Sequence, residues 1–228
     1  MLMAKHRNAA AKLALCVGLM QSTALAVTVA PNLLVNGDFE NQLNWGKGVD
    51  GDSGFTLLTE AAMPGWTIEA GHGVTVHNTS LYPTISGNYS VNIDGEGMGG
   101  VNANFYQDFA SAIGTLYALN FDWSIWGTNT SPNLDVSVTD TTTSSVLYHG
   151  NFAWASGAHS ESALFSGTGN AMRLRIQESP STGSNDNAYM VDNFSVAEAV
   201  PEPGSCAVML VGLSLLSMVA PRRRCNRP

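Results

Sequence analysis

Residues 117–125 read Tyr-Ala-Leu-Asn-Phe-Asp-Trp-Ser-Ile. Apolar side chains alternate with small or polar ones along this stretch, which is the period of a β-strand with one buried face. The same alternation recurs at residues 134–139, Leu-Asp-Val-Ser-Val-Thr, and at 172–177, Met-Arg-Leu-Arg-Ile-Gln. These stretches predict three strands whose apolar sides share one core.

Shorter apolar stretches predict further strands, because clusters of Gly, Asn, Ser and Pro separate them. They are residues 33–35, 55–58, 66–68, 74–77, 89–93, 104–109, 145–148, 163–166 and 189–196. No stretch inside the domain has a convincing helical period of 3.6 residues. Many short strands with turn-rich connections predict an all-β fold, a jelly-roll β-sandwich.

The beginning of the chain has the pattern of a secretory signal peptide. Three basic residues precede an apolar segment at 13–20, and the small-x-small tripeptide Ala-Leu-Ala follows at 24–26. This pattern predicts a leader over residues 1–26 that is exported by the Sec machinery and removed by signal peptidase.

The end of the chain carries a short apolar segment, residues 206–220, between a proline-rich tetrapeptide and a basic cluster. The tetrapeptide is Val200, Pro201, Glu202 and Pro203, and the cluster is Arg222, Arg223 and Arg224. A helix over 206–220 would be about 22 Å long, short for a hydrocarbon core of about 30 Å. Arginines stay on the cytoplasmic side, so the preceding domain is expected outside. A plain tail anchor or a short core helix fits the same pattern.

The order of these parts over residues 200–224 resembles the PEP-CTERM sorting signal, followed here by a basic tail, Cys-Asn-Arg-Pro, at 225–228. In that family the signal is read by exosortase, an inner-membrane enzyme of Gram-negative bacteria that make exopolysaccharide. The resemblance implies that the protein is tethered to the inner membrane by its tail. It further implies removal of the tail and delivery to the cell surface or extracellular matrix, in association with exopolysaccharide.

Removing both ends leaves a strongly acidic domain, residues 27–199. This range has 17 acidic residues and three basic ones, Lys47, Arg173 and Arg175, a formal net charge of −14. Nucleic acid is excluded as a partner, because phosphate binding requires cationic side chains. The charge favours divalent cations, although a solvated acidic coat without any ligand explains it equally well. All three cysteines lie in the terminal segments, so the domain has no disulfide and no thiol chemistry.

Several segments of the domain resemble the galactose-binding-like jelly rolls, which include carbohydrate-binding modules and related domains of anchored bacterial surface proteins. They are Asn-Leu-Leu-Val-Asn-Gly-Asp-Phe-Glu at 32–40, Pro-Gly-Trp at 64–66, Tyr-Gln-Asp-Phe at 106–109, Tyr-Ala-Leu-Asn-Phe at 117–121 and Val-Asp-Asn-Phe-Ser-Val at 191–196. The resemblance implies a jelly roll in which the first and last strands meet.

In several modules of this kind those two strands share a structural calcium ion. Asp38 and Glu40 near the start and Asp192 near the end match the positions of its ligands, and oxygen ligands suit calcium. The alternative is that Asp38 caps the Asn-Gly turn and that the other two carboxylates are solvated.

Sugar binding requires an exposed aromatic ring with polar groups around it, because a pyranose has an apolar face ringed by hydroxyls. Trp126 follows the buried face that ends at Ile125, and Trp154 lies in a polar, Gly-rich segment. Both are predicted glycan contacts, whereas Trp66 and Trp123 are predicted core residues. The alternative for the exposed pair is packing beneath a loop.

Taken together, the patterns predict a non-catalytic module that binds glycan or has a structural role in the matrix. The alternative is a secreted hydrolase acting on polysaccharide, because acidic residues are plentiful. Glycoside hydrolysis needs a pair of carboxyl groups in contrasting environments. No pair in apolar surroundings stands out in the sequence, and no His-Glu-x-x-His motif is present.

Overall fold

The computed structural model describes residues 30–41, 55–58, 63–70, 73–78, 84–93, 103–126, 133–179 and 188–199. This part of the chain contains eleven strands. They are β1 (Phe55–Leu58), β2 (Thr67–Ile68), β3 (Val74–Asn78), β4 (Tyr89–Asn92), β5 (Asn104–Ala110), β6 (Leu116–Trp126), β7 (Asn133–Asp140), β8 (Val146–Phe152), β9 (Ala158–Ser166), β10 (Ala171–Ser179) and β11 (Ala188–Glu198).

The strands form two antiparallel sheets. The six-stranded sheet has the order β1-β3-β4-β11-β6-β9, and the five-stranded sheet has the order β2-β5-β10-β7-β8. Most neighbours within a sheet are not consecutive in the chain, so the chain crosses repeatedly between the two sheets. This is the connectivity class of a jelly roll, and the predicted jelly-roll sandwich is confirmed.

The core lies between the two sheets, and alternate residues of the central strands point into it. On β6, Tyr117, Leu119, Phe121 and Trp123 are all buried, and on β10 the apolar residues at 172, 174 and 176 have no exposed surface. The intervening residues of both strands face outward. The apolar side of each sheet is therefore the side that the sequence pattern predicts.

An aromatic cluster fills the middle of the core. Phe194 stacks on Phe121 with ring centroids 5.1 Å apart, and its edge meets Trp66 at 5.8 Å and Phe39 at 6.1 Å. Trp66 also packs edge-on against Phe105 at 5.3 Å. Trp66 and Trp123 are 4% and 3% exposed, so both predicted core tryptophans are confirmed.

The first described segment runs beside the last strand, as the resemblance implies, but the strand predicted at 33–35 is wrong. Residues 33–36 form bends. The Leu33 amide donates to the Val196 carbonyl at 2.7 Å, and the Asn32 side-chain oxygen then accepts from both the Leu34 and the Val196 amides. A side-chain amide thus replaces the regular ladder, which is why the alternation rule fails here.

Gly37 lies where the first segment touches β11. Its carbonyl accepts the Phe194 amide at 2.8 Å, and a Cβ atom at this position would lie 2.0 Å from the Phe194 carbonyl oxygen. Asn36 and Asn193 flank this contact with positive φ angles of 55° and 54°, a conformation that asparagine adopts more readily than most residues. The motifs at 32–40 and 191–196 are therefore two halves of one backbone junction.

The predicted leader at 1–26 and the tail at 200–228 lie outside the described residues. Among the residues that the structure does describe, no helix has the length and apolar character needed to cross a membrane.

Candidate functional site

The outward side of the five-stranded sheet carries a continuous row of polar side chains, which we call the polar face. Its members alternate with buried residues on the five strands and are brought side by side by the strand register. They are Thr67, Asn104, Tyr106, Asp108, Asp135, Ser137, Thr139, His149, Asn151, Arg173, Arg175 and Gln177. Five strands at about 4.8 Å spacing make this face about 19 Å wide.

Tyr106 is the aromatic centre of the polar face. Its neighbours on β10 are Arg175, directly opposite in the register, and Arg173. The Arg173 guanidinium carbon lies 3.5 Å from the centroid of the Tyr106 ring, and that of Arg175 lies 5.4 Å away. A guanidinium stacked on a ring is a favourable cation–π arrangement. The Tyr106 ring and the Arg173 guanidinium are therefore stacked one on the other at the centre of the polar face.

Both arginines are also fixed by carboxylates. Arg173 donates from Nε and Nη2 to the two oxygens of Asp108 at 2.7 and 2.8 Å, and this contact is the main cause of a raised pKa at Arg173. Arg175 donates from Nη1 to Glu69 and to Asn104, each at 2.7 Å. The two-pronged contact between Arg173 and Asp108 sets the orientation of that guanidinium as well as its charge.

The far side of the polar face has a histidine–carboxylate pair. His149 Nε2 lies 2.7 Å from an oxygen of Asp135, and the His149 side chain is 54% exposed. The Asn151 amide also reaches Asp135, at 3.4 Å. These groups lie on β7 and β8, so hydrogen-bonding side chains extend across the whole width of the sheet.

A hollow of about 300 Å³ lies at one end of the polar face, between the two arginines and the β7–β8 turn. Asp140 holds this turn by accepting the amides of Thr142 and Thr143 at 2.8 and 2.9 Å. Its pKa lies well below the ordinary value because it also accepts hydrogen bonds from Thr168 and Asn170. Asp140 is therefore an ionised structural group that shapes the rim of the hollow.

A second group of polar residues lies on the outward side of the six-stranded sheet. Asp192 is fully buried there and accepts hydrogen bonds from the hydroxyls of Ser86 and Ser90 and from the amides of Ser86 and Asn193. Burial raises the pKa of Asp192 to about 6, although these hydrogen bonds oppose the shift. Glu40 holds the other end of the same loop by accepting the amides of Asn88 and Tyr89 at 2.7 and 3.1 Å.

The predicted calcium ligands therefore have separate contacts. Asp38 is exposed, and its oxygen accepts the Glu40 amide at 3.4 Å, the turn-capping role given as the alternative. Glu40 and Asp192 hold the two ends of the 84–88 loop, with N–H and O–H donors directed at their oxygens. The described residues contain no group of three or more carboxylates, histidines or cysteines that could hold a metal ion. The calcium site stays a prediction.

A sequence model of the family described as "Protein of unknown function (DUF642)" matches residues 32–197. The chain belongs to this family. The match begins and ends at the junction between the first segment and β11, so the family region coincides with the sandwich. No curated protein matches the chain in sequence.

Solved structures similar to the DUF642 domain include the "Family 16 Carbohydrate Binding Module-2", with 17% sequence identity, a TM-score of 0.48, and coverage of 73% of this chain and 100% of that chain. A second is TmCBM61 in complex with β-1,4-galactotriose, with 10% identity, a TM-score of 0.43, and coverage of 75% and 100%. A third is the arabinose-bound α-L-arabinofuranosidase MgGH51, with 14% identity and a TM-score of 0.48. It is matched over 74% of this chain and 26% of that chain.

The two tryptophans predicted to contact glycan lie elsewhere in the DUF642 domain. Trp154 is 40% exposed and lies in the connection between β8 and β9. Trp126 is the last residue of β6, and its side chain is outside the described part of the structure.

The sequence analysis missed Tyr106, Arg173 and Arg175 as site residues. A signal was present, because two of the three basic residues of the domain lie two positions apart on one strand and so share its outward side. What the sequence could not supply is the register between β5 and β10, which places Tyr106 opposite Arg175.

Proposed function

We propose that the DUF642 domain is a non-catalytic glycan-binding module whose ligand lies on the polar face. The observation that carries this proposal is the Tyr106–Arg173 stack, surrounded by amide, hydroxyl, guanidinium and carboxylate groups on the same sheet. A pyranose has an apolar face that can pack against the stacked ring and guanidinium. Its neighbouring hydroxyls can form hydrogen bonds with the amide, guanidinium and carboxylate groups around them. An open sheet side about 19 Å wide suits an extended polymer better than a small apolar ligand.

The charge arrangement on the polar face supports binding rather than hydrolysis. A general acid needs a carboxyl whose pKa is raised toward neutrality. Asp108, Glu69 and Asp135 each lie 2.7 Å from a basic side chain, so none of them stands in the apolar surroundings that a general acid needs. Asp192, a carboxyl whose pKa is raised, is buried on the other sheet.

Replacing Tyr106 with alanine is expected to weaken glycan binding at least about tenfold, which is about 1.4 kcal/mol. The substitution removes the ring and leaves Arg173 without its stacking partner. A glycan array first identifies oligosaccharides that bind the purified exported protein. Isothermal titration calorimetry then measures their dissociation constants for the wild type and the variant. The comparison variant is Trp154→Ala, which removes the exposed aromatic side chain that the sequence predicts as a glycan contact outside the polar face.

Three results would contradict the proposal. If Trp154→Ala weakens binding and Tyr106→Ala does not, the ligand lies elsewhere. If no glycan binds, the module is structural. If purified protein releases reducing ends from a polysaccharide, the hydrolase alternative is correct.

We also propose that the protein is exported by the Sec machinery and sorted by exosortase, which releases it for association with exopolysaccharide. The order of the tetrapeptide at 200–203, the apolar segment at 206–220 and the arginines at 222–224 supports this proposal. The position of the signal supports it too, because the last described backbone hydrogen bond, from the Ala199 amide to the Leu116 carbonyl, closes the domain one residue before the signal begins.

Mass spectrometry of the protein recovered from the outside of its native host is expected to find a chain that lacks residues 206–220. A strain without exosortase is expected to retain the full tail in its membrane fraction. Recovery of extracellular protein with an intact tail, or a host without any exosortase gene, would contradict the sorting proposal.

A further inference from the structure

The two arginines of the polar face are already neutralised by carboxylates of the same face. Arg173 is paired with Asp108 through two hydrogen bonds, and Arg175 is paired with Glu69, which also accepts from the Asn104 amide at 2.8 Å. With Asp135 added, the polar face and its rim carry three carboxylates against two guanidiniums and one histidine.

The rest of the domain adds to this negative field. Residues 27–199 carry 17 acidic and three basic residues. Like charges repel a polyanion before contact, and they oppose a second carboxylate beside a guanidinium that already has one. A ligand that offers only hydroxyls is not repelled in this way. It can still contact the Tyr106–Arg173 stack and the side-chain amides of the polar face.

We propose that the polar face selects neutral glycans and rejects uronate-bearing ones, and that Asp108 and Glu69 are the residues responsible. The inference rests on the proposed glycan-binding function and adds its substrate class. The two carboxylates act by holding the guanidiniums in place and by occupying the positions that a ligand carboxylate would need.

The test uses chemically matched ligands. Neutral β-1,4- and β-1,3-linked oligosaccharides are each compared with the same oligosaccharide oxidised to the carboxylate at C6, by titration into the purified exported protein. We expect the neutral form to bind at least about tenfold more tightly than its oxidised partner.

The double variant Asp108→Asn/Glu69→Gln keeps the shapes of both side chains but frees both guanidiniums. We expect the ratio of neutral to uronate affinity to fall at least about tenfold. The control, Glu161→Gln/Glu198→Gln, removes the same number of negative charges from the six-stranded sheet and keeps the side-chain oxygen that Glu161 offers to Trp123. We expect it to leave the ratio unchanged, and circular dichroism checks that both variants are folded.

The outcomes separate this inference from the function on which it rests. If no glycan of either kind binds, the proposed function fails and the inference falls with it. If uronates bind as tightly as the neutral forms, glycan binding stands and the selection against anions is overturned. If the control changes the ratio as much as the double variant, the selectivity comes from total charge, and the role of Asp108 and Glu69 is overturned.

Discussion

Replacing Phe194 with alanine is expected to lower the free energy of unfolding by about 3–5 kcal/mol, the usual cost of emptying a buried aromatic site. Phe194 is 1% exposed and packs against Phe39, Trp66 and Phe121. These rings come from the first segment, the turn before β2 and β6, so the cavity would lie between the two sheets. Urea unfolding followed by tryptophan fluorescence measures the loss.

The matched control is Leu164→Ala, because Leu164 is also an apolar residue of the six-stranded sheet but is 61% exposed. Its replacement is expected to change stability by less than about 0.5 kcal/mol. A cost below about 1 kcal/mol for Phe194→Ala would mean that the aromatic cluster does not hold the sheets together. The backbone of Phe194 also bonds to Gly37, so an intact junction after Phe194→Ala would separate the side-chain contribution from the backbone one.

The sequence predicts the strands well where one side of a strand is buried and the other is exposed to solvent. Strands β6, β7 and β10 have this character and extend one or two residues beyond the predicted bounds. Strand β9 begins five residues before the predicted start, because its early residues, from Ala158 to Ser162, are exposed or only half-buried and carry no apolar alternation. Period-two patterning reports burial, and an edge strand is only partly buried.

The candidate site is less readable from the sequence because it depends on register. Tyr106 becomes a site residue through its position opposite Arg175, and that pairing joins strands almost 70 residues apart in the chain. Composition points to tryptophans in polar segments, and the glycan contacts predicted at Trp126 and Trp154 stay predictions. Residue type identifies candidates for a binding site, but the long-range pairing of strands decides which candidates share a surface.

The buried polar residues on the outer side of the six-stranded sheet give the second large prediction, which concerns pH. Asp192 and His77 both neighbour Ser90, Asp192 by a 2.9 Å hydrogen bond and His77 by cross-strand register. Burial raises the pKa of Asp192 from 3.8 to about 6 and lowers the pKa of His77 from 6.5 to about 4. The two shifts have opposite effects on stability over nearly the same range of pH.

The folded state holds the Asp192 proton more tightly than the unfolded chain does. Its contribution to stability is therefore fully present below pH 3.8 and is lost as the pH rises through 6. The folded state binds a proton on His77 more weakly, so the His77 contribution is present above pH 6.5 and is lost as the pH falls through 4. For each group the pKa in the folded state differs from the ordinary value by about 2, so each contribution is on the order of 3 kcal/mol.

The wild-type free energy of unfolding is therefore expected to be nearly level between pH 4 and pH 7 with respect to these two groups. The nearby charged groups, Glu40 on the same loop and Asp122 bonded to Asn193, are present in every variant and cancel in the comparison. Asp140 titrates below this range, because its pKa is lowered. The compensation hides two large and opposite proton linkages.

Two single substitutions separate the proton linkage of Asp192 from that of His77. Asp192→Asn leaves the His77 linkage alone, so this variant is expected to lose about 3 kcal/mol of stability from pH 7 to pH 4. His77→Gln leaves the Asp192 linkage alone and is expected to gain about as much over the same interval. Urea unfolding at pH 4, 5, 6 and 7 gives the two slopes, whatever constant cost each substitution adds. Slopes of the same sign, each taken relative to the wild type, would show that Asp192 and His77 do not titrate in opposition. Opposite slopes would show that their two proton linkages compensate each other.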